Sequence, residues 1–257
     1  MSNRYFSQIN IASDQVRLSG PEAHHLIHVM RAEIGAEVVL FDGTGREFLA
    51  EVVQVGRSEV QLAVLAQQNV DRELPTELTI GIALPKGDRQ KWLVEKLVEL
   101  GVTRLVPLVT DRSVARPLPS VLERLQRTVI EASKQCGRNR LMEVAGSQLW
   151  PALVQSASGV EHRWLAHPAR GKTTNNACPR LSTESSTRIL PVLRRDRLEA
   201  CATPIVLAIG PEGGFTDEEV GLATAAGWQL VDLGPRILRT ETAALLLVAW
   251  VVLGLRS

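Results

Sequence analysis

Pro204-Ile205-Val206-Leu207-Ala208-Ile209 runs directly into Gly210-Pro211-Glu212-Gly213-Gly214-Phe215, and this stretch decides the fold. The apolar run is unbroken, which is typical of a strand buried on both faces of a parallel sheet. The segment from Thr216 to Glu219 has the pattern of a helix-capping box, so the predicted order is strand, glycine-rich loop, helix. Glycines in such a loop let the backbone approach a ligand closely. The loop is neither a Walker loop nor a dinucleotide fingerprint, and taken alone it is equally well explained as a tight turn.

A second loop of the same kind follows further along the chain. Gln229 to Leu233 is predicted as a short strand, and it leads into Gly234-Pro235-Arg236-Ile237-Leu238-Arg239-Thr240-Glu241-Thr242 and then an apolar helix. Thr240 is predicted to cap that helix, and Glu241 in its first turn complements the helix dipole. The alternative interpretation of Arg239 and Glu241 is a solvated ion pair together with a helix cap. Two such loops after neighbouring strands predict a shared cleft at the carboxyl edge of the sheet.

Composition limits the class of protein. The chain has 257 residues with 45% hydrophobic side chains, which suffices for one large or two modest folded domains. The net charge of +1 gives no overall signal for nucleic acid. The three cysteines are far apart, so neither a disulfide framework nor a metal finger is expected. The histidines at positions 24, 25 and 28 lack a further ligand, so they are interpreted as surface or packing residues and no metal is expected.

The chain is expected in the cytoplasm and away from membranes. Its N-terminus has no apolar signal-peptide core. The longest apolar run, Ala243 to Leu255, is shorter than the roughly 20 residues that a membrane span needs, and it is predicted to be a buried C-terminal helix.

Two domains are predicted from the rhythm of the chain, 1–72 and 73–257. The first reads as strands over 37–41, 47–53 and 59–64 with one helix over 21–31, which is typical of a small β-barrel. Residues 70–77 are polar and form the predicted linker. Strands and helices then alternate, which predicts an α/β domain with a mainly parallel sheet covered by helices on both faces. Its predicted elements are strands over 78–84, 104–109, 163–166 and 205–209 and helices over 88–100 and 119–136. Gly171 to Ser186 is polar and predicted to be an exposed insertion.

The two C-terminal loops closely resemble those of the RsmE family, bacterial 16S (small-subunit) ribosomal RNA uracil-N3 methyltransferases of the SPOUT superfamily. The resemblance covers nearly the whole chain. Its further segments are the His25 to Arg31 region, Phe41-Asp42-Gly43, Lys91 to Pro107, Glu131 to Arg140 (which contains Cys136-Gly137-Arg138) and His167-Pro168.

The resemblance implies a SPOUT fold with a deep trefoil knot, preceded by a PUA-like β-barrel that binds RNA. It also implies a homodimer whose active site lies near the subunit interface, and 16S ribosomal RNA, within the small subunit, as the substrate. S-adenosyl-L-methionine is the implied cofactor, held mostly by backbone groups of three loops. The residues expected to bind it are Leu165, His167, Pro168, Ile209, Gly210, Pro211, Glu212, Gly213, Leu233, Gly234, Ile237, Leu238, Thr240 and Thr242.

Charge indicates where RNA binds. Residues 1–72 carry six Lys and Arg against nine Asp and Glu, whereas residues 111–140 carry seven against three. Phosphate binding is therefore expected on the middle segment as well as on the N-terminal domain, although a solvated helix face explains any one of these cations as well. The predicted RNA-binding residues are Arg4, Arg31, Arg112, Arg116, Lys134 and Arg140.

The predicted chemistry is methylation of an unpaired uridine turned into the pocket. Arg138 and Arg239 are candidates to stabilise the developing uracil anion, and Glu241 is a candidate to orient one of them or to accept the N3 proton. Two alternatives stay open. One is another knotted methyltransferase that acts on a ribose 2′-hydroxyl or on transfer RNA. The other is a non-catalytic RNA-binding assembly factor with a vestigial donor pocket.

Overall fold

The computed structural model describes residues 3–113, 117–168 and 203–255. The chain divides into two compact units. The first contains Met1–Glu73 together with Val129–Leu141, and the second contains Leu74–Thr128 together with Met142–Ser257. Arg116 and the predicted insertion from Gly171 to Ser186 lie outside the described residues.

The first unit is built on a five-stranded mixed sheet of order β1-β3-β4-β5-β2. The β1 and β3 strands pair in parallel, and the other pairs are antiparallel. Apolar and polar side chains alternate in β4, so Phe48, Ala50 and Val52 are buried against the core. The helix predicted over 21–31 is two short helices, α1 and a π-helical turn. The elements are β1 (Arg4–Phe6), β2 (Gln15–Ser19), α1 (Gly20–His24), the π-helix (His25–Val29), β3 (Glu37–Phe41), β4 (Arg46–Val55) and β5 (Glu59–Asn69).

The second unit is an α/β fold whose sheet pairs are all parallel among the described strands. The sheet order is β12-β10-β11-β6-β7-β8, with β9 paired to β7. Its elements are β6 (Leu78–Ile82), α2 (Arg89–Glu99), β7 (Arg104–Val109), α3 (Pro119–Cys136), β8 (Glu143–Val144), β9 (Gln148–Leu149), α4 (Trp150–Ser156), β10 (His162–Ala166), β11 (Ile205–Ile209), α5 (Asp217–Ala225), β12 (Gln229–Val231) and α6 (Thr240–Leu255). Helix α3 belongs to this unit up to Thr128, and from Val129 on it belongs to the first unit.

The register of three neighbouring strands positions the site. Ile209 at the end of β11 lies beside Ala166 at the end of β10, and Ala166 lies beside Val231 at the end of β12. All five residues of β11 are buried, as the unbroken apolar run predicted. Because these parallel strands end level with one another, the loops that follow them leave the sheet at the same edge.

Some helix ends have the capping residues that the sequence predicts, and others do not. The capping box of α5 is present, since Thr216 and Glu219 exchange side-chain and backbone hydrogen bonds. Gly101 follows α2 at a φ of 86°, as a C-terminal glycine should. Asp88, which the sequence offers as a cap of α2, precedes that helix with helical backbone angles, and its side chain makes no capping hydrogen bond. The predicted cap at Thr240 was wrong: Thr240 is the first residue of α6, and its hydroxyl donates to the Gly210 carbonyl oxygen at 3.4 Å.

Three further predictions concern membrane spans, metal sites and the knot, and we compare each with the described part of the chain. None of its helices is long and apolar enough to cross a membrane. No group of three or more His, Cys, Asp or Glu side chains within it is placed to hold a metal ion. The predicted knot depends on the path between β10 and β11, most of which lies outside the described residues, and it stays a prediction.

Candidate active site

A cavity of about 320 Å³ lies at the carboxyl edge of the parallel sheet, and we call it the edge cavity. Three loops form it, namely those that follow β10, β11 and β12, together with the start of α6. Twelve of the fourteen predicted donor-binding residues line it. They are His167, Pro168, Ile209, Gly210, Pro211, Glu212, Gly213, Leu233, Gly234, Ile237, Leu238 and Thr240.

The remaining two predicted residues lie elsewhere. Leu165 belongs to the buried core because alternate side chains of a strand point to opposite faces. Thr242 is exposed on α6. Sequence reasoning missed other lining residues, which are Ala166, Gly214, Phe215, Asp232, Pro235, Arg236 and Ala243.

The loop after β11 is shaped by glycines. A Cβ atom added at Gly210 would lie 2.9 Å from two ring carbons of Phe215, so only glycine fits there. Gly214 has a φ of 69°, in the left-handed region that side chains disfavour. Phe215 is buried against Trp150, with 4.7 Å between the ring centroids, which fixes the far end of the loop. The loop is therefore anchored at Phe215, and the ring of this residue leaves room only for glycine at position 210.

The loop after β12 is fixed by a short polar turn. The side chain of Asp232 accepts a hydrogen bond from the Gly234 amide at 2.9 Å, and Gly234 has a φ of 108°. An aspartate two residues before a glycine is a common turn pattern, so Asp232 was the missed residue with the clearest signal in the sequence.

Arg89 connects the loop after β11 to the start of α6. Its Nη2 donates to Glu212 at 3.2 Å and its Nη1 donates to Glu241 at 3.4 Å. The hydrogen bond to Glu241 is the largest of the effects that raise the pKa of the Arg89 guanidinium. Glu241 is 6% exposed, and its Oε2 atom is buried without a hydrogen-bond partner among the described residues. Sequence reasoning missed Arg89, since nothing in its local sequence marks it.

The three predicted catalytic residues have different environments. Glu241 lines neither the edge cavity nor the cavity described below, and its described partner is Arg89. Arg239 is exposed, and its carbonyl oxygen accepts from the Ala243 amide at 2.9 Å. Arg138 belongs to the first unit and is 4% exposed. Its guanidinium forms a two-pronged ion pair with Glu73, at 3.1 and 2.5 Å.

The predicted RNA-binding residues separate into exposed and buried ones. Arg31, Arg112 and Arg140 are exposed. Lys134 is mostly covered and pairs with Glu22 at 3.0 Å.

Arg4 is buried within the first unit. It donates to Glu47 at 2.8 Å and to Asn139 at 2.6 Å. Burial by itself would raise the pKa of Glu47, but hydrogen bonds from Arg4 and Arg72 outweigh it and lower that pKa. Arg4 thus connects the sheet to residues 137–139 instead of presenting a free cation at the surface.

A second cavity of about 290 Å³, which we call the adjoining cavity, shares lining residues with the edge cavity. Pro211, Glu212, Gly213 and Thr240 line both. Lys86 and Arg112 add positive charge to it. The Nη1 atom of Arg112 donates to the carbonyl oxygens of Gly213 at 2.7 Å and of Phe215 at 3.4 Å, so this arginine braces the shared wall.

Comparisons with known proteins agree with this architecture. The family model for the RNA methyltransferase domain matches residues 72–252, and the model for the RNA methyltransferase PUA domain matches residues 18–65. Two relatives are named ribosomal RNA small subunit methyltransferase E. The one from Synechocystis is 36% identical over 89% of this chain and 69% of its own length. The one from Bacillus subtilis is 29% identical over 94% of this chain and 93% of its own length.

A solved structure of a protein with the same name as these two relatives is also similar to this chain. The ribosomal RNA small subunit methyltransferase E from Neisseria gonorrhoeae, whose crystal structure is bound to S-adenosyl methionine, superposes with a TM-score of 0.81. It is 29% identical in sequence, and the alignment covers 97% of this chain and 96% of that one.

A parallel sheet with glycine-rich loops around a cavity at its carboxyl edge, in one chain with a PUA-type unit, defines an RNA methyltransferase of the SPOUT class. Within that class the chain belongs to the RsmE family, the small-subunit ribosomal RNA methyltransferases E.

Proposed function

We propose that this protein transfers a methyl group from S-adenosylmethionine to N3 of a uridine in 16S ribosomal RNA. The observation that carries the proposal is the convergence of two distant glycine loops, residues 210–214 and 233–238, on one edge cavity. The family relationship adds small-subunit ribosomal RNA as the substrate, as the relatives' names state. We further propose that the protein acts in the cytoplasm, where its ribosomal RNA substrate is found.

The edge cavity suits the methyl donor in size and in lining. Its volume of about 320 Å³ is that of a small-molecule site. The glycines at 210, 214 and 234 bring backbone amides and carbonyls to its wall, which fits a ligand with many hydrogen-bonding groups. Apolar side chains such as Ile209, Leu233 and Leu238 supply surface for an adenine ring. When bound, S-adenosylmethionine supplies a methyl carbon on a positively charged sulfur, which keeps the bonding electron pair as the N3–carbon bond forms.

The residues of this chain have three tasks in that reaction. They hold the donor rigidly, they stabilise negative charge on the uracil, and they take up the N3 proton. The predicted candidates for charge stabilisation are Arg138 and Arg239. For the proton, Glu241 was the prediction, and Glu212 is the carboxylate that lines both cavities and is itself held by Arg89. We therefore add Glu212 as a candidate proton acceptor.

RNA binding is assigned to both parts of the chain. We propose that residues 1–72 form the PUA-like RNA-binding domain and residues 73–257 the methyltransferase domain. In the first unit, the exposed guanidinium groups of Arg31 and Arg140 are available to bind RNA phosphates. In the second unit, the exposed Arg112 is available for the same contact. Arg116 belongs to the same proposed set on charge alone.

We propose a homodimer through the last helix. After Thr242, every described residue of α6 is apolar or glycine, as is typical of a helix covered on all sides. Even so, Leu246 and Leu253, seven residues apart and hence on one face, are 46% and 67% exposed. A second copy of the chain would cover this face, and that interface would hold the active site, as the family resemblance implies.

Two experiments test the proposed function. Small-subunit RNA from a strain that lacks this protein is digested and analysed by mass spectrometry, and we expect N3-methyluridine to disappear and to return on complementation. If N3-methyluridine persists at the wild-type level, the proposal fails. Calorimetry with S-adenosylmethionine then separates an enzyme from a non-catalytic assembly factor, because only the enzyme needs the donor.

A further inference from the structure

We infer that the adjoining cavity receives the target nucleotide of the RNA, turned out of its stack, while the edge cavity holds the methyl donor. This inference rests on the proposed function and deepens it. The four residues that line both cavities, Pro211, Glu212, Gly213 and Thr240, make the two compartments neighbours at one loop and one helix start. Group transfer needs two ligands side by side, and this is the arrangement that supplies them.

The lining of the adjoining cavity matches the chemistry of a nucleotide. Aliphatic walls from Pro85, Leu108, Leu118 and Val121 offer surface to the faces of a flat base. Polar side chains at the same cavity, including Gln90 and Ser113, offer hydrogen bonds to its edge. An unstacked base needs this combination of apolar walls and polar edge contacts.

The charge of the adjoining cavity favours a polyanion. Lys86 is exposed, and among the described residues no carboxylate pairs with it. The Nη1 atom of Arg112 donates to the carbonyl oxygens of Gly213 and Phe215 in the shared wall. The carboxylate of Glu212 pairs with Arg89, which it shares with Glu241. The lining of the adjoining cavity thus carries two cations, Lys86 and Arg112, against one carboxylate, and this excess of positive charge suits a phosphate or the oxygens of a uracil that carries negative charge.

Arg112 also couples the two compartments. Arg112 donates a hydrogen bond to the carbonyl oxygen of Gly213, which lines both cavities. A ligand in the adjoining cavity that attracts the Arg112 guanidinium would therefore also shift Gly213 in the wall of the edge cavity. The packing is close, since a Cβ atom at Gly213 would lie 3.3 Å from the Cδ atom of Arg112. Arg112 is thus a positioning residue for the loop in addition to a candidate RNA contact.

Two variants test the cavity without disturbing the core. Lys86→Ala removes a charge from an exposed side chain, and Leu118→Trp fills the cavity from a side chain that is 66% exposed. Matched controls are Lys91→Ala, an exposed lysine outside the lining, and Leu230→Trp, an exposed leucine on β12 outside it. Each full-length variant is assayed with small subunits from a strain that lacks the enzyme. The readouts are KM for the subunits, kcat, and the Kd of S-adenosylmethionine by calorimetry.

We expect Lys86→Ala to raise KM for the subunits about tenfold, the loss of one charged hydrogen bond. Leu118→Trp should lower kcat/KM by at least about tenfold, because the base can no longer enter. Both variants and both controls should bind S-adenosylmethionine as the wild type does. An active wild type whose kinetics are unchanged by both cavity variants overturns this inference and leaves the proposed function standing. A wild type that binds no S-adenosylmethionine and methylates nothing overturns the proposed function, and this inference with it.

Discussion

Arg89 and Glu241 are 152 positions apart in the chain, and the Nη1 atom of Arg89 donates to the Oε1 atom of Glu241 at 3.4 Å. The same guanidinium donates to Glu212 in the glycine loop after β11. One side chain thus connects α2, the loop that lines both cavities, and the first turn of α6. We therefore expect Arg89 to position the wall of the edge cavity, which Glu212 lines.

Arg89→Ala should weaken S-adenosylmethionine binding roughly tenfold, because the loop at Glu212 and the start of α6 lose a shared charged partner. Arg89→Lys should restore part of the affinity, since a lysine can reach one carboxylate but not both in a forked geometry. Calorimetry measures the effect. The control is Arg104→Ala, which removes an exposed ion pair with Glu143 and should leave donor affinity unchanged. Equal donor affinity in Arg89→Ala and Arg104→Ala would show that the connection has no role in binding.

Gly210→Ala should abolish measurable donor binding, because the new Cβ atom meets the buried ring of Phe215 at 2.9 Å and the loop must shift. The matched control is Gly221→Ala on α5, where a Cβ atom meets nothing within 4 Å. That control should be neutral or stabilise the fold by up to about 1 kcal/mol, since alanine favours a helix over glycine. Donor titrations and thermal unfolding of both variants distinguish the outcomes. A Gly210→Ala protein with wild-type donor affinity contradicts the proposed role of this loop.

Arg138→Ala should abolish methylation while donor binding persists, as its predicted role in the reaction requires. The structure adds a competing reason for lost activity, because the variant leaves Glu73 partly buried and unpaired, at a cost of about 3–5 kcal/mol in the free energy of unfolding.

The double variant Arg138→Met, Glu73→Gln separates the two explanations. It removes the charge imbalance and should recover most of the lost stability, as measured by urea unfolding. If methylation returns with stability, Arg138 acts through the fold alone. If the protein is stable and inactive, Arg138 takes part in the reaction.

Leu246→Lys combined with Leu253→Lys should shift the protein from dimer to monomer in analytical ultracentrifugation. The two lysines introduce like charges onto the apolar face of α6, and they would be buried at a symmetric interface. Leu230→Lys, an exposed leucine on β12, serves as the control and should leave the sedimentation coefficient unchanged. A double variant that sediments as the wild type does would contradict the proposed interface.

Protonation of Glu47 in acid should lower the free energy of unfolding of the first unit. Its pKa is lower in the folded protein than in the unfolded chain, so its stabilising contribution is complete above about pH 4.3, the ordinary range of a glutamate, and is lost as the pH falls through the folded pKa. The stability difference between wild type and Glu47→Gln should therefore be large near pH 7 and shrink on acidification. Hydrogen exchange of the β3, β4 and β5 amides measures it, with the exposed Glu37→Gln as control. A difference that does not change with pH would exclude this ion pair as its cause.

Local patterns in the sequence determined much of the fold. The strands of residues 37–41, 104–109 and 205–209 and the helix of residues 119–136 occur as predicted, because each has a hydrophobic rhythm and end signals within its own segment. The capping box at Thr216 is equally local. The two glycine loops were recognisable for the same reason, and they meet at one edge of the sheet as expected. The strands that precede them were expected to be neighbours, however, and in the sheet β10 lies between β11 and β12.

Only the tertiary structure decided which side chains serve the site. Arg89 has no local signal, and it matters only because folding brings it to Glu212 and Glu241. Arg4 appeared as a free cation in the sequence, whereas in the fold its guanidinium is buried against Glu47 and Asn139. Leu165 was predicted to bind the methyl donor, but it lies within β10 and its side chain packs in the core. The sequence by itself thus determined the elements and the glycine loops, because propensity and capping act over a few residues. The pairing of charges, the burial of side chains and the adjoining cavity depend on contacts between residues far apart in the chain, such as Arg89 with Glu241 and Arg112 with Gly213, which only the folded chain brings together.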